Sequence, residues 1–218
     1  MNVNQLFTQA DLEAVQAAVR EAEALTSGEI VPYVVDESDP YTGAPWKGAA
    51  LGALLAPLLA VGVYLLGDLW GGQLALWIAL PALAGGAAGY VLTSSVRSVR
   101  RSLAGDEVLD LRARRRAAVA FLDQEVFNTR ERTGILLFLS LFEHRVVVLG
   151  DSGINRKVDQ AEWDGIVAHL AAGIRSGRPA AALVEAIREC GALLERHGVA
   201  RQADDRDELS NELRRGDS

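Results

Sequence analysis

The chain has 218 residues and a formal net charge of −7, from 22 Lys and Arg against 29 Asp and Glu. That acidic balance argues against a nucleic-acid partner, because phosphate recognition needs a basic surface, and the single cysteine, Cys190, excludes an intrachain disulfide and is compatible with a reducing compartment. Hydrophobic residues at 50%, charged at 23% and aromatic at 6% resemble ordinary globular averages, but the average mixes two kinds of segment.

Residues 1–4 carry no basic n-region, so the N-terminus is not a secretory signal. Thr8 with Asp11 three residues on matches a capping box, and Leu12, Val15, Val19 and Ala22 continue at helical spacing until Ser27-Gly28. Residues 29–35, Glu-Ile-Val-Pro-Tyr-Val-Val, are β-branched and predict a short strand. Its Pro32 fits an edge or a position that needs no N–H. A lone strand leaves its backbone groups unsatisfied, so it must find partners further along the chain.

Two uncharged apolar runs follow, 48–66 and 69–96, separated by Gly67 and Asp68. Each is long enough to cross a bilayer core, which takes roughly 20 apolar residues. Lys47 precedes the first run and Arg97, Arg100 and Arg101 follow the second, which places both ends of the hairpin in the cytoplasm by the positive-inside rule. Trp46, Trp70 and Tyr90 lie near the expected interfaces. Gly48 with Gly52 and Gly85 with Gly89 have small-xxx-small spacing, suited to packing within the hairpin or to forming a dimer. No ionisable residue lies inside either run, which points to an anchor, not a transport pathway.

Beyond the runs, a helix is predicted over 106–130, with Val108, Leu111, Val119, Leu122 and Val126 as its apolar stripe. Its Arg112, Arg114, Arg115 and Arg116 form either a solvated face or a contact with anionic head groups. Residues 134–141 and 144–149 read as an antiparallel hairpin of buried strands joined at Phe142-Glu143. Two helices follow, one with the stripe Trp163, Ile166, Val167, Leu170 and Ile174, the other with Leu183, Val184, Ile187 and Leu194 between Pro179 and Gly198. This order implies a layered α/β sandwich in which 30–35 lies parallel to 135–141. Ligands of such sheets gather at strand ends, here near Asp36 and Glu37, Ser140, and the turn Gly150-Asp-Ser-Gly153.

Established catalytic constellations are few. Gly150-Asp-Ser-Gly-Ile-Asn155 lacks the Gly-Lys-Ser/Thr of a phosphate-binding loop, and His144, His169 and His197 have no second ligand at metal spacing. Carboxylates are the one chemical resource: Asp36, Glu37 and Asp39 after the first strand, Asp151 after the last, and Asp204, Asp205, Asp207, Glu208 and Glu212 in the C-terminal segment. They suit a hard cation, which takes several oxygen ligands, or a solvated acidic tail.

Four motifs in order resemble one family: Thr26-Ser-Gly-Glu-Ile30 after a helix, Asn128-Thr-Arg-Glu-Arg-Thr-Gly-Ile-Leu-Leu-Phe138, His144-Arg-Val-Val-Val-Leu-Gly-Asp-Ser-Gly-Ile-Asn155 with Val158 and Trp163, and Asp207-Glu-Leu-Ser-Asn-Glu-Leu213. Together they resemble the TPM domain family, named for thylakoid lumen and photosystem II repair proteins and a nematode receptor modulator. The resemblance covers nearly all of the chain outside residues 40–105. It implies a Rossmann-like three-layer α/β/α sandwich with a mixed sheet, here interrupted by a two-helix transmembrane hairpin. The expected division is one discontinuous domain over 1–46 and 97–200, the hairpin over 47–96, and an acidic tail over 201–218.

Members of that family are described as binders of divalent metals, notably calcium, as acid phosphatases, and as assembly or repair factors for membrane complexes. The matching positions are Glu29, Asp151, Asn155, Asp205, Glu208, Asn211 and Glu212. With Asp36 from the strand-end argument, the expected metal ligands are Asp151, Asp36, Asp205 and Glu208, and Glu29, Asn155, Asn211 and Glu212 are further candidates; no catalytic residue is assigned. The expected protein is thus anchored in the inner membrane by two spans, with both termini cytoplasmic. It is a calcium-type binding or assembly module beside a membrane complex, or a homo-oligomer through the hairpin, the alternative being a metal-assisted phosphomonoesterase.

Overall fold

A computed structural model of the chain describes residues 6–66, 74–199, 201 and 208–216. It has two compact units, Met1–Asp39 with Asp110–Ser218, and Pro40–Leu109. The expected turn residues Gly67 and Asp68, the interface residue Trp70 and the ligand Asp205 lie outside the described residues.

The first unit is built on a four-stranded mixed sheet. Strands β1 (Glu29–Val35), β2 (Gly134–Ser140), β3 (Arg145–Gly150) and β4 (Arg214–Gly216) stand in the order β3-β2-β1-β4. β1 runs parallel to β2, with Ile30 opposite Ile135 and Val35 opposite Ser140, and β2 runs antiparallel to β3. The parallel pairing expected across the insertion is therefore present. β1 is an inner strand, yet β4 pairs only with Tyr33, Val34 and Val35, so on that side Pro32 still lies at an open edge, where its missing N–H breaks no ladder.

All seven positions of β1 and of β2 are buried, because alternate residues enter different cores. Ile30, Val34, Ile135, Leu137 and Leu139 join α1 (Gln9–Glu23), α7 (Gln160–Arg175) and α8 (Pro179–Arg196) through Val15, Val19, Trp163, Leu170, Leu183 and Ile187. Val31, Tyr33, Val35, Leu136 and Phe138 join Ala113, Ala117 and Ala120 of α5 (Asp106–Asp123). Thr8 caps α1 with the reciprocal Asp11 bond, and Pro179 opens α8, both as the sequence predicts.

Two expectations change in this unit. The helix expected to reach residue 130 ends at Asp123, and its buried face is not the Val and Leu stripe: Val108, Leu111, Val119 and Leu122 are exposed, while the alanines face the sheet. The sheet supplies the bulk on this side, where Tyr33 stacks on Phe138 at 5.9 Å, so small residues let the helix approach. The expected acidic tail is also corrected. Residues 208–216 pack on the unit and end in β4, where Arg214, half-buried and with its pKa lowered by desolvation, donates from Nη1 to Gln124 O at 2.9 Å.

The second unit contains α2 (Gly43–Leu66), α3 (Leu74–Ser95) and α4 (Arg97–Ala104). Side chains on Gly52 or Gly85 would collide with the carbonyl of the other residue, and one on Gly48 would meet Thr93, so the glycine rows pack the two long helices on each other. Both helices are long and apolar enough to cross a membrane and bury none of their apolar windows. Aromatic pairs mark the hairpin, Trp46 with Tyr90 at 5.3 Å and Tyr64 with Trp77 at 5.9 Å. Lys47 Nζ donates to Leu103 O at 3.0 Å, satisfying a carbonyl at the end of α4.

Two glycines test this packing in opposite directions. Gly134 opens β2 against the Val126 carbonyl, where a Cβ has no room, so Gly134→Ala is expected to lower unfolding stability by about 1–3 kcal/mol. Gly165 is exposed inside α7 with nothing within 4 Å of its Cβ position, so Gly165→Ala should raise stability by about 1 kcal/mol. Urea unfolding of both variants checks the pair.

Candidate functional site

Most of the candidate residues collect at one end of the sheet, where β1 and β2 begin and β3 finishes. Glu29 pairs with Gly134, whose carbonyl accepts the N–H of Asp151 at 2.9 Å. Two strand spacings thus set Glu29 and Asp151 about 10 Å apart.

Asp151 is placed by the end of β3 and the start of the short helix α6 (Ser152–Asn155). As N-cap its Oδ1 accepts the Ser152 N–H at 2.6 Å. Asn155 closes the turn by donating from Nδ2 to Gly150 O at 2.6 Å. The loop before β2 presses on α6, since a side chain on Gly153 would collide with the carbonyls of Glu131 and Arg132. Arg132, at φ 58° and over the Phe127 ring, brings Nε to 2.8 Å from Asp151 Oδ2. That N–H does not point at the oxygen, so Oδ2 is ion-paired but accepts no hydrogen bond, although Asp151 is only 6% exposed.

Glu29 is 5% exposed and serves the C-terminal segment. Its Oε1 accepts from Glu208 N at 3.1 Å and its Oε2 from Leu209 N at 3.4 Å. Glu208 in turn accepts the Arg130 N–H at 2.9 Å. Glu23 completes the set, accepting from Ile30 N at 2.8 Å and from Asn211 Nδ2 at 2.6 Å. The first and last of the four sequence motifs therefore meet, with carboxylates as acceptors for a segment that would otherwise bury unpaired N–H groups.

The structure divides the expected ligand set. Asp36 follows β1 at its other end, seven residues or about 23 Å from Glu29, so Asp36 and Asp151 share no site. Glu212 lies with Gln9, Glu13, Gln16 and Arg215 around a separate cavity of about 220 Å³. Among the described residues no three His, Cys, Asp or Glu side chains come together as a metal site. At the Asp36 end, Ser140 Oγ donates to Glu143 and meets Ser38 Oγ at 3.0 Å, and Glu143 accepts the Ser38 N–H at 2.8 Å. Ser140 and Glu143 are fully buried, so this network locks the β2–β3 turn.

Sequence reasoning missed Glu23, Arg132 and Glu143. Glu23 is one of several acidic residues of an amphipathic helix, and Glu143 is a turn residue that accepts from the Ser38 N–H, 105 residues away in sequence; neither leaves a local signal. Arg132 was legible only in retrospect, as the basic residue before the β2 run.

No family model matches the chain, and no curated protein matches it. Among solved structures it is similar to the NMR structure of the BA42 protein of the psychrophilic bacterium Bizionia argentinensis, at 19% identity over 99% of each chain with a TM-score of 0.61. That likeness concerns the fold alone: a mixed α/β arrangement with a four-stranded sheet.

If Glu29 holds the C-terminal segment, Glu29→Ala leaves two backbone N–H groups without acceptors and costs about 1–3 kcal/mol. Trypsin should then cut at Arg214 and Arg215 faster than in the unchanged chain. Unchanged cleavage and an unchanged urea midpoint would show that Glu29 is not the anchor.

Proposed function

We propose that the protein is a membrane-anchored interaction module: a Rossmann-like TPM-type α/β/α domain, carried beside a membrane complex by an inserted two-span hairpin with both termini cytoplasmic. One observation carries this reading. The long helices α2 and α3 turn Leu54, Leu55, Leu58, Leu59 and Leu83 outward, and all are more than half exposed. Exposed apolar surface of that extent belongs against lipid or a partner, not water. Pro57 and Pro81 inside the helices suit the same setting, where neighbouring groups satisfy the freed carbonyls. Lys47, Arg97, Arg100 and Arg101 flank the hairpin and support the cytoplasmic, inner-membrane placement.

Topology is read by labelling single cysteines in intact cells with a membrane-impermeant maleimide. Asp68→Cys should label from outside and Ser38→Cys only after lysis; the reverse pattern would overturn the orientation.

Divalent-cation binding is a second reading, favoured by the buried Asp151 Oδ2 that accepts no hydrogen bond. Against it, Arg132 already lies beside that oxygen and the Glu29 oxygens already accept N–H groups, so at this end of the sheet the described residues bring a hard cation far fewer than the six or more oxygen ligands it takes. Calorimetric titration of the full chain with calcium decides. Saturable heat that Asp151→Asn abolishes supports the site, and no saturation up to millimolar calcium removes it. The phosphomonoesterase alternative, in which Asp151 and neighbouring carboxylates would hold a cation that activates water, requires the same cation, and the same titration tests its first condition.

A further inference from the structure

Helix α5 is built with its large apolar residues on the outside. Ala113, Ala117 and Ala120 face the sheet, while Leu111 is 55% exposed, Val119 40% and Leu122 62%. Leu111, Ala118 and Leu122 stack on one helix face at spacings of seven and four, with Val119 beside them. From 111 to 122 the helix carries Arg112, Arg114, Arg115 and Arg116 and no acidic residue. Arg115 is exposed within this ridge and Arg114 is exposed at its edge; Arg114 also pairs with Asp110 at 2.8 Å, and Arg112 with Asp39 at 3.2 Å.

We infer that this outward face of α5 docks on the surface of an anionic bilayer. An apolar ridge bordered by arginines is the composition of a helix lying in the membrane interface, with apolar side chains at the acyl boundary and cationic heads at the phosphates. Arginine stems reach from the ridge to the head groups. The supply of membrane is local, because only residues 96–110 separate α5's ridge from the end of α3 at Ser95. A second copy of the chain is the weaker occupant. A two-fold contact through this face would set its exposed Arg115 against the same arginine of the second copy, and like charges across an interface are repelled.

The inference rests on the membrane-anchor reading, and one experiment separates their failures. Cys190 is fully buried, and burial pushes its thiol pKa up, so an introduced cysteine can be labelled selectively. The full chain with Leu58→Cys or Leu122→Cys, each carrying a bimane probe, is reconstituted in phosphatidylcholine vesicles with or without phosphatidylglycerol, and quenching by spin-labelled lipid is read. Expected is quenching at 58 in both vesicles and at 122 with phosphatidylglycerol. Arg114→Gln with Arg115→Gln should reduce the signal at 122 by at least about half, since each juxtamembrane charge adds several-fold to surface binding, and leave 58 unchanged. Quenching at 58 without quenching at 122 overturns the docking and spares the anchor. Absence at both overturns the anchor and the docking with it. Disulfide cross-linking of unlabelled Leu122→Cys between copies, without quenching, overturns it in favour of self-association.

Discussion

The structure depends on one requirement: β1 must satisfy its backbone groups with a strand that lies beyond 98 intervening residues. Seven buried residues in a row cannot leave N–H and C=O groups unpaired. β2 answers along the whole length of β1, and the short β4 covers its last three residues. The loop-closure cost of so long an insertion grows only with the logarithm of its length, and a hairpin that packs on itself lowers it further. Asp39 and Arg112, which flank the insertion in sequence, meet at 3.2 Å within the first unit. The inserted segment therefore leaves and re-enters that unit at one place.

The same requirement explains the carboxylates at the start of β1. A C-terminal segment with few apolar side chains to bury has little reason to dock, and β4 is Arg-Arg-Gly. Charge-assisted hydrogen bonds supply the reason. Glu29 and Glu23 accept from Glu208, Leu209 and Asn211, while Leu213 enters one core and Leu209 packs against the other. Acidic residues at a sheet end suggest a cation when read as a string, but in space Glu29 already accepts from two backbone N–H groups, and Glu23 from one and from the Asn211 side-chain amide. Asp151 differs because its partner is a side chain, Arg132, whose geometry leaves Oδ2 without a hydrogen bond.

What the sequence disclosed follows from where its signals are hydrophobic. β1 and β2 were legible because fully buried strands are runs of Ile, Leu, Val and Phe, β3 because three valines and a leucine run together, and their pairing followed from chain order. β4 was not, because three polar residues held by neighbouring carboxylates carry no periodic signal. The direction of α5 was misread for a related reason. Side-chain hydrophobicity ranks Leu and Val above Ala, but the helix positions that pack over Tyr33 and Phe138 are mostly alanines, Ala113, Ala117 and Ala120. The candidate site was half legible: the motif resemblance marked Glu29, Asp151 and Glu208, but which end of the sheet each carboxylate occupies depends on strand direction, and that separates Asp36.

Small residues in α2 and α3 bear on what the hairpin can bind. In lipid the hydrophobic effect does not drive helices together, so association relies on close backbone approach. Here that approach occurs within the hairpin, Gly48 and Gly52 against Gly85, Gly89 and Thr93. A second copy cannot use the same rows without parting the two helices. Any membrane partner must instead meet the leucine and valine faces, where packing is tolerant of shape and weakly selective. On the proposed reading as a membrane anchor, selectivity for a complex would fall to the α/β unit and its polar surface, and the hairpin would contribute proximity.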